Sequence, residues 1–391
     1  MIRLQGMTWD HRRATEPLYA LDAVFRELRP DVEIAWKARP LSGFEFDSIE
    51  RLAAENDMIV FDHPFCGRIA ASGCLLSLGT LVEAAGGAAA FVGPSVASYR
   101  YGGGDWALPI DAACQVAAYR PDLLAKLSAE LPATWDEVCG LAERAAGQGL
   151  SLAIGLRGVH SLMTFFSLSA NLGAPFGAGD QAGFDAVTAK EVLGQLRRLV
   201  ATCRAPVLDW NSIELQDALS SAQDLVYCPA VYGFGAYGEA DRAHPLAFGP
   251  FPGLDPARPE KGSTIGGAGL GLSARLAERP EAAAAALDYA RLAASQRAQR
   301  EIFPAHHGQP AHVSAWSDPA VDGRFNGFFS ATLDTIEGSW VRPRYDGYLA
   351  FQERAGGMIE SHLRGDLAET ALLEALKKLD LECRVSGAAA R

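Results

Sequence analysis

IRLQGMTWDHRRATEPLYALDAVFRELRPDVEIAW, residues Ile2–Trp36, carries the change of period that decides the fold. Ile2–Leu4 is short and apolar and reads as a strand. Arg12–Leu28 then sets Leu18, Leu21, Val24, Phe25 and Leu28 at helical spacing. Val32–Trp36 alternates with period two, the pattern of a strand. Ser48–Ala54 reads as a short helix and Met58–Phe61 as a compact buried strand. This β-α-β-α-β order implies parallel strands joined by helical crossovers.

The same reading extends along the chain. Trp106–Ile110 reads as a strand leading into a mostly helical middle. Thr134 with Glu137, and Thr188 with Glu191, match the capping box T-x-x-E, opening helices to about Ala146 and about Cys203. Leu152–Ile154, Asp224–Val231 and Ser263–Ser273 read as strands, and the Gly/Pro-rich stretch Phe248–Gly262 as loop. Pro280 suits the first position of an Ala-rich helix through Ala294. From Phe303 the chain is irregular and aromatic, then helical near Thr332–Glu337, Tyr348–Arg364 and Asp366–Leu379, with Ser386–Arg391 expected to fray.

Composition narrows the function. The 391 residues are 49% hydrophobic and 21% charged, which excludes a disordered chain and allows two or three domains. The net charge is −12, from 35 Lys+Arg against 47 Asp+Glu. A surface so acidic is unsuited to phosphate backbones or anionic lipid, so no nucleic-acid or membrane-surface partner is expected. No run of about 20 apolar residues exists to span a membrane. MIRLQGMTWDH has no apolar signal-peptide core, so the chain is expected to be cytoplasmic, or a mature form with Met added. The seven cysteines are odd in number and form no C-x-x-C pair, which suits buried thiols in a reducing compartment.

Three motifs are weighed against simpler explanations. Gly233–Gly238, GFGAYG, fits G-x-G-x-x-G, but Pro245 stops any following helix and no acidic residue ends a next strand. A flexible glycine loop where a ligand or the backbone comes close explains it better than a dinucleotide site. Gly266–Gly271, GGAGLG, lacks the Lys-Ser/Thr of a phosphate loop and reads as a tightly packed strand. His306, His307 and His312 cluster without a Cys or acid at ligand spacing, so no metal or cofactor is expected.

An ordered series of segments carries a family resemblance. These are GMTWDH at Gly6–His11, DMIVFDHP at Asp57–Pro64, WALPID at Trp106–Asp111, QVAAYRPDLL at Gln115–Leu124, PATWDEV at Pro132–Val138 and GSTIGGAGLGLSA at Gly262–Ala274. Together the chain resembles the sugar-type extracellular solute-binding proteins of bacterial ABC transporters, related to maltose-binding protein. The resemblance implies an α/β fold of two discontinuous lobes joined by a hinge, of the periplasmic-binding-protein type II kind, with a ligand cleft between them. The lobes are expected at 1–111 plus 245–302 and at 112–244 plus 303–391. It also implies a small polar solute, a sugar above all, as ligand. Closure by hinge motion, a monomeric receptor, ABC permease subunits as partners if the protein is exported, and a periplasmic location follow from the same resemblance.

A sugar shows hydroxyls at its ring edge and apolar C–H faces, so its site needs carboxylates and amides beside aromatic plates. Ligands of open α/β sheets sit beyond the carboxyl ends of the strands. On that basis the candidate plates are Trp9, Tyr232, Trp316 and Tyr345. The candidate polar groups are Asp10, His11, Asp62, His63, Asp111, Gln115, His307 and Gln309, and Gly267 is also expected at the ligand. Core packing is the alternative for each aromatic and is preferred for Trp36, Trp135 and Trp340. Asp111 has helix capping as its alternative. Arg12, Arg13, Arg342 or Arg344 would suit an anionic ligand equally. An enzyme on the same scaffold, similar to thiaminase I with Cys114 as nucleophile, is the competing reading, and a cytoplasmic ligand sensor is another.

Overall fold

The computed structural model describes residues 1–177, 183–203, 206–254 and 262–389. Ten strands occur among them: β1 (Ile2–Trp9), β2 (Val32–Arg39), β3 (Met58–Phe61), β4 (Arg100–Tyr101), β5 (Gly104–Asp105), β6 (Leu108–Tyr119), β7 (Ser151–Leu152), β8 (Leu225–Tyr232), β9 (Ala247–Gly249) and β10 (Ile265–Leu272). Strands β4 and β5 form a separate hairpin. The other eight lie in the order β2-β1-β3-β10-β6-β8-β7, with β9 also paired to β6.

The first three strands follow from their sequence pattern. β1 pairs in parallel with β2 and β3, and the helix Arg12–Leu28 crosses between β1 and β2. That helix buries Leu18, Leu21 and Phe25 against the sheet, whereas Leu28, expected on the same stripe, is 61% exposed at the helix end. β3 is buried at every position, as a strand with neighbours on both sides must be.

β6 runs for 12 residues and serves two groups of strands. Its first half, Leu108–Cys114, pairs antiparallel with β10, which also pairs with β3. Its second half, Gln115–Tyr119, pairs with β8 and β9. The result is two α/β lobes sharing one continuous strand. Between Ala268 and Gly269 the register slips, and at that bulge Gly267 has φ +106°. A Cβ there would stand 2.3 Å from the Asp111 carbonyl oxygen, so glycine is what allows β10 to approach β6.

Several expectations need correction. β9 pairs with the far half of β6, so residues 247–249 stay with the second group of strands; Thr264 still bridges to Trp340, and pairing with the first half of β6 begins at Ile265. The expected loop at Phe248–Gly262 therefore begins with a strand, and residues 255–261 of it lie outside the described residues. The segment after Phe303 does not go over to the second lobe at once. Pro304–His306 packs on the helix Arg12–Leu28, and His312 bridges to Phe91. The helix expected from Thr188 begins at Ala186, because Asp185 accepts the Thr188 N–H at 2.7 Å and caps it a turn earlier. The helix Glu369–Ala389 continues through the expected frayed tail, whose last residues 390–391 lie outside the described residues.

The Thr134–Glu137 capping box is present as read, starting the helix Trp135–Gly147. The motif Gly233–Gly238 is a short turn against Phe325 and Phe328, where a Cβ on Gly235 would meet both rings at 3.2 Å. GGAGLG lies within β10. Gly267→Ala is expected to lower the unfolding free energy by about 2 kcal/mol or more, since strain and the clash add. Denaturant unfolding checks this, and an unchanged midpoint would mean that the bulge relaxes freely.

Candidate functional site

The parallel strands β1, β2 and β3 end at Trp9, Arg39 and Phe61, and the segments that follow turn over one cavity. β1 itself ends on Trp9. After β2 come Leu41, Phe44 and Glu45 on the short helix Leu41–Phe46, and after β3 comes Asp62. Asp111 and Ala113 of β6 and Gly266–Ala268 of β10 form the floor. The opposite wall is built by Val159, His160 and Met163 on the helix Val159–Asn171, with Ser212, Tyr232, Phe234, Arg342 and Gln352. The cavity is open to solvent at its mouth, and the space within it, that solvent included, is about 700 Å³.

One side of the cavity is aromatic. Trp9, 5% exposed, stands 5.7 Å from Phe44 and 5.9 Å from Phe234, and His11 stacks on Trp9 at 5.2 Å. The other side is charged but internally paired. Arg13 holds both Asp111 oxygens, at 2.7 and 2.5 Å, and its guanidinium lies 4.5 Å over the Phe234 ring. Arg342 donates to Asp62 at 2.5 Å and to Gln352 at 3.0 Å. A bidentate or short charge-assisted bond of this kind offsets the cost of removing both ions from water.

Burial sets the protonation states. It would push Asp62 up, but the Arg342 guanidinium and His63 outweigh it and hold the carboxyl at about 2. Burial raises Asp111, against the pull of Arg13. Burial, then the positive field of Arg342, lowers His63 to about 4, and burial, then Arg157, lowers His160 to about 4. His11 falls to about 4 through burial and the nearby Arg13 and Arg12. Glu45 moves the other way, pushed up to about 7 by burial and by the charge of Asp62. Near neutral pH the site therefore holds two ion pairs, neutral imidazoles and one carboxyl poised to titrate.

Of the residues expected at the ligand, Trp9, Asp62, Asp111, Tyr232 and Gly267 come together here. The structure places the others differently. Asp10 is exposed, and His11 caps the helix Arg12–Leu28 by accepting from the Arg13 N–H. His63 is fully buried behind Asp62, its Nδ1 2.9 Å from Asp62 Oδ1. Gln115 and Gln309 are buried struts. Gln115 bonds Thr164 and Ser167, and Gln309 donates to the Ala112 carbonyl while accepting from the Gly235 N–H. Trp316 is a core residue, its Nε1 donating to the Pro310 carbonyl and its ring edge-on to Phe329. Tyr345 donates to Asp380.

His307 sits outside the cavity, between Arg12 and Glu239. Arginine can only donate, so Nε2 accepts from Arg12 and Nδ1–H donates to Glu239. The four arginines offered for an anionic ligand are all engaged. Arg13 and Arg342 hold carboxylates, Arg12 meets His307, and Arg344 donates to the carbonyls of Ala97, Ser98 and Arg100. Cys114 is 3% exposed in β6, and burial pushes its thiol up to about 12, the reverse of what a thiolate nucleophile needs.

Sequence reading missed Phe44, Glu45, His160, Met163, Ser212, Phe234 and Gln352. Phe44 and Glu45 had a usable signal, since they follow β2 at its carboxyl end. Those on helices had none, because a polar residue on a helix looks the same facing a cavity or water.

Comparison with known proteins agrees with this architecture. The model of the bacterial extracellular solute-binding protein family matches residues 14–297, most of the chain, so the protein belongs to that family. Maltose-bound MalE3 of T. maritima superposes with a TM-score of 0.80 at 17% identity, over 99% of this chain and 100% of that one. A solute-binding protein of Thermotoga lettingae, bound with α-D-tagatose, gives 0.81 at 14% identity over 99% and 100%. One from Agrobacterium radiobacter in complex with ribitol gives 0.79 at 17% identity over 98% of each chain. These likenesses establish the two-lobed binding-protein fold. No curated protein sequence matches the chain.

Removing one partner of a buried ion pair strands the other charge. Arg342→Met is expected to cost about 3–5 kcal/mol of stability near neutral pH. Because folding depresses the Asp62 pKa to about 2, its contribution is complete above the unfolded carboxylate value near pH 4 and disappears as pH falls through about 2. The difference between wild type and Arg342→Met, measured by denaturant unfolding, should therefore shrink below about pH 4. A difference independent of pH would contradict this role for the pair.

Proposed function

We propose that the protein is the substrate-binding receptor of an ABC importer and holds a sugar-type solute in the cavity between its lobes. The observation that carries this reading is the cavity itself. It lies at the carboxyl ends of β1, β2 and β3 and is covered from the far side by the helix Val159–Asn171 and Tyr232. Its aromatic wall suits the C–H face of a sugar ring, and its carboxylates and amides suit hydroxyls. Trp9 is the plate; Asp62, Asp111 and Tyr232 are ligand-facing groups, and Gly267 leaves room beside them.

The lobes in this reading are 1–111 with 265–302, and 112–264 with the helical remainder from Phe328. The segment between Phe303 and Phe328 straps the two. A ligand that touches both walls favours the closed arrangement by the contacts it gains there. The bound sugars and polyols of the structural neighbours support this ligand class, as does membership of an extracellular solute-binding family. A monomeric receptor acting outside the cytoplasmic membrane, handing its ligand to permease subunits, is the role that follows.

A panel of sugars and polyols including maltose, tagatose and ribitol is expected to raise the thermal midpoint by about 3 °C or more for at least one member, at a hundredfold excess over Kd. Silence across the panel would contradict the proposal. For the member that binds, Trp9→Ala should weaken affinity by about tenfold. Mass spectrometry after incubation should return the ligand unchanged, and turnover would contradict the receptor role.

A further inference from the structure

The charges around the cavity do not balance, and the imbalance has one address. Both Asp111 oxygens are held by Arg13, and Asp62 is held by Arg342 and by the His63 backbone N–H at 2.8 Å. Glu45 borders the cavity with a side chain that is 21% exposed, and neither of its oxygens accepts a hydrogen bond from the described residues. The basic group closest to it is His160, whose Nε2 lies 3.9 Å from Glu45 Oε1. Burial, then Arg157, keeps that imidazole neutral near pH 7, so it supplies no compensating charge. Asp62, from the segment after β3, adds negative potential, while Arg342 and Arg157 act on Glu45 from a distance. Phe44 adjoins Glu45 in the chain, its ring lies 5.7 Å from Trp9, tilted by 42°, and all three residues border the cavity.

We propose that the solute carries a protonated amine that pairs with Glu45 while its hydroxylated body lies along Trp9, making the ligand an amino sugar or amino-polyol. The inference rests on the receptor reading above and narrows it. A lone carboxylate in a low-dielectric site is unstable as an ion and has two remedies, a proton or a cationic partner. An ammonium group supplies the partner, donates to oxygens that have no donor, and is itself attracted by the faces of neighbouring aromatic rings. An anionic solute would meet Glu45, and the arginines lining the cavity among the described residues, Arg13 and Arg342, already hold carboxylates.

Matched probes test this without knowledge of the natural ligand. Glucosamine is compared with glucose and N-acetylglucosamine, and 1-amino-1-deoxysorbitol with sorbitol, by thermal shift and calorimetry on the full chain. In at least one pair the amine should bind tenfold or more tighter than its neutral parent. Binding of that amine should strengthen about tenfold between about pH 5.5 and 7.5, because binding draws Glu45 into its ionised form. Glu45→Gln should abolish the preference, so that the amine and its neutral parent bind the variant within a few-fold of each other.

Equal or tighter binding of the neutral parents would overturn the amine assignment and leave the receptor reading standing. So would an amine preference that survives Glu45→Gln. No response to either amine would also overturn it, whereas the receptor reading falls only with silence across the broader sugar and polyol panel.

Discussion

One strand has to satisfy two sheets at once. Leu108–Tyr119 gives its first half to β10 and its second half to β8 and β9, and its backbone hydrogen bonds are spent on both sides of the molecule. Nearly every residue of it is buried. A strand shared in this way cannot shift register in one lobe without disturbing the other, since a slip of one residue turns every side chain over. It therefore fixes where the lobes meet. Asp111, Ala112, Ala113 and Cys114 lie at that junction, with Gly267 opposite Ala112. The cavity opens where the shared strand passes from one set of neighbours to the other.

That placement explains the chemistry of the site. A cavity at the carboxyl ends of strands collects residues from loops, which tolerate polar side chains. Enclosing those residues between two lobes then forces their charges to pair. Arg13 with Asp111 and Arg342 with Asp62 are the outcome, and Arg342 reaches its partner across 280 positions of sequence. The pairs do not bring net stability so much as penalise arrangements that separate them. The structure thus specifies the shape of the cavity with ion pairs and leaves Glu45 as its uncompensated group.

Much of the fold was legible because its elements obey simple periods. The helix Arg12–Leu28, the strand Met58–Phe61 and the helix Tyr348–Arg364 have the limits read from apolar spacing. Glycine and proline around Ala247–Gly249 hide the pattern of that strand, and Thr188 with Glu191 fits a capping box as well as Asp185 fits a cap. In the site, position at the end of a strand was informative for Trp9 and Tyr232, and position just after one for Asp62. Residue type alone was not. Gln115, Gln309 and Trp316 have the polar or aromatic character of ligand contacts, yet they are internal struts, because buried backbone carbonyls and amides also need partners. His160, Met163 and Gln352 are brought to the cavity by helix packing between distant segments, and no local pattern encodes that.

The central claim is that two lobes close over a small solute. It is tested most directly by the distance between spin labels on Tyr19→Cys, on the outer helix of the first lobe, and Val187→Cys, on the second. Both positions are exposed, and the half-buried Cys74 and Cys203 would be replaced by serine to keep labelling specific. Double electron–electron resonance with and without a panel sugar or amino sugar that raises the thermal midpoint should show a shorter and narrower distance distribution when the ligand is bound. An identical distribution in both samples would contradict closure as the mode of binding.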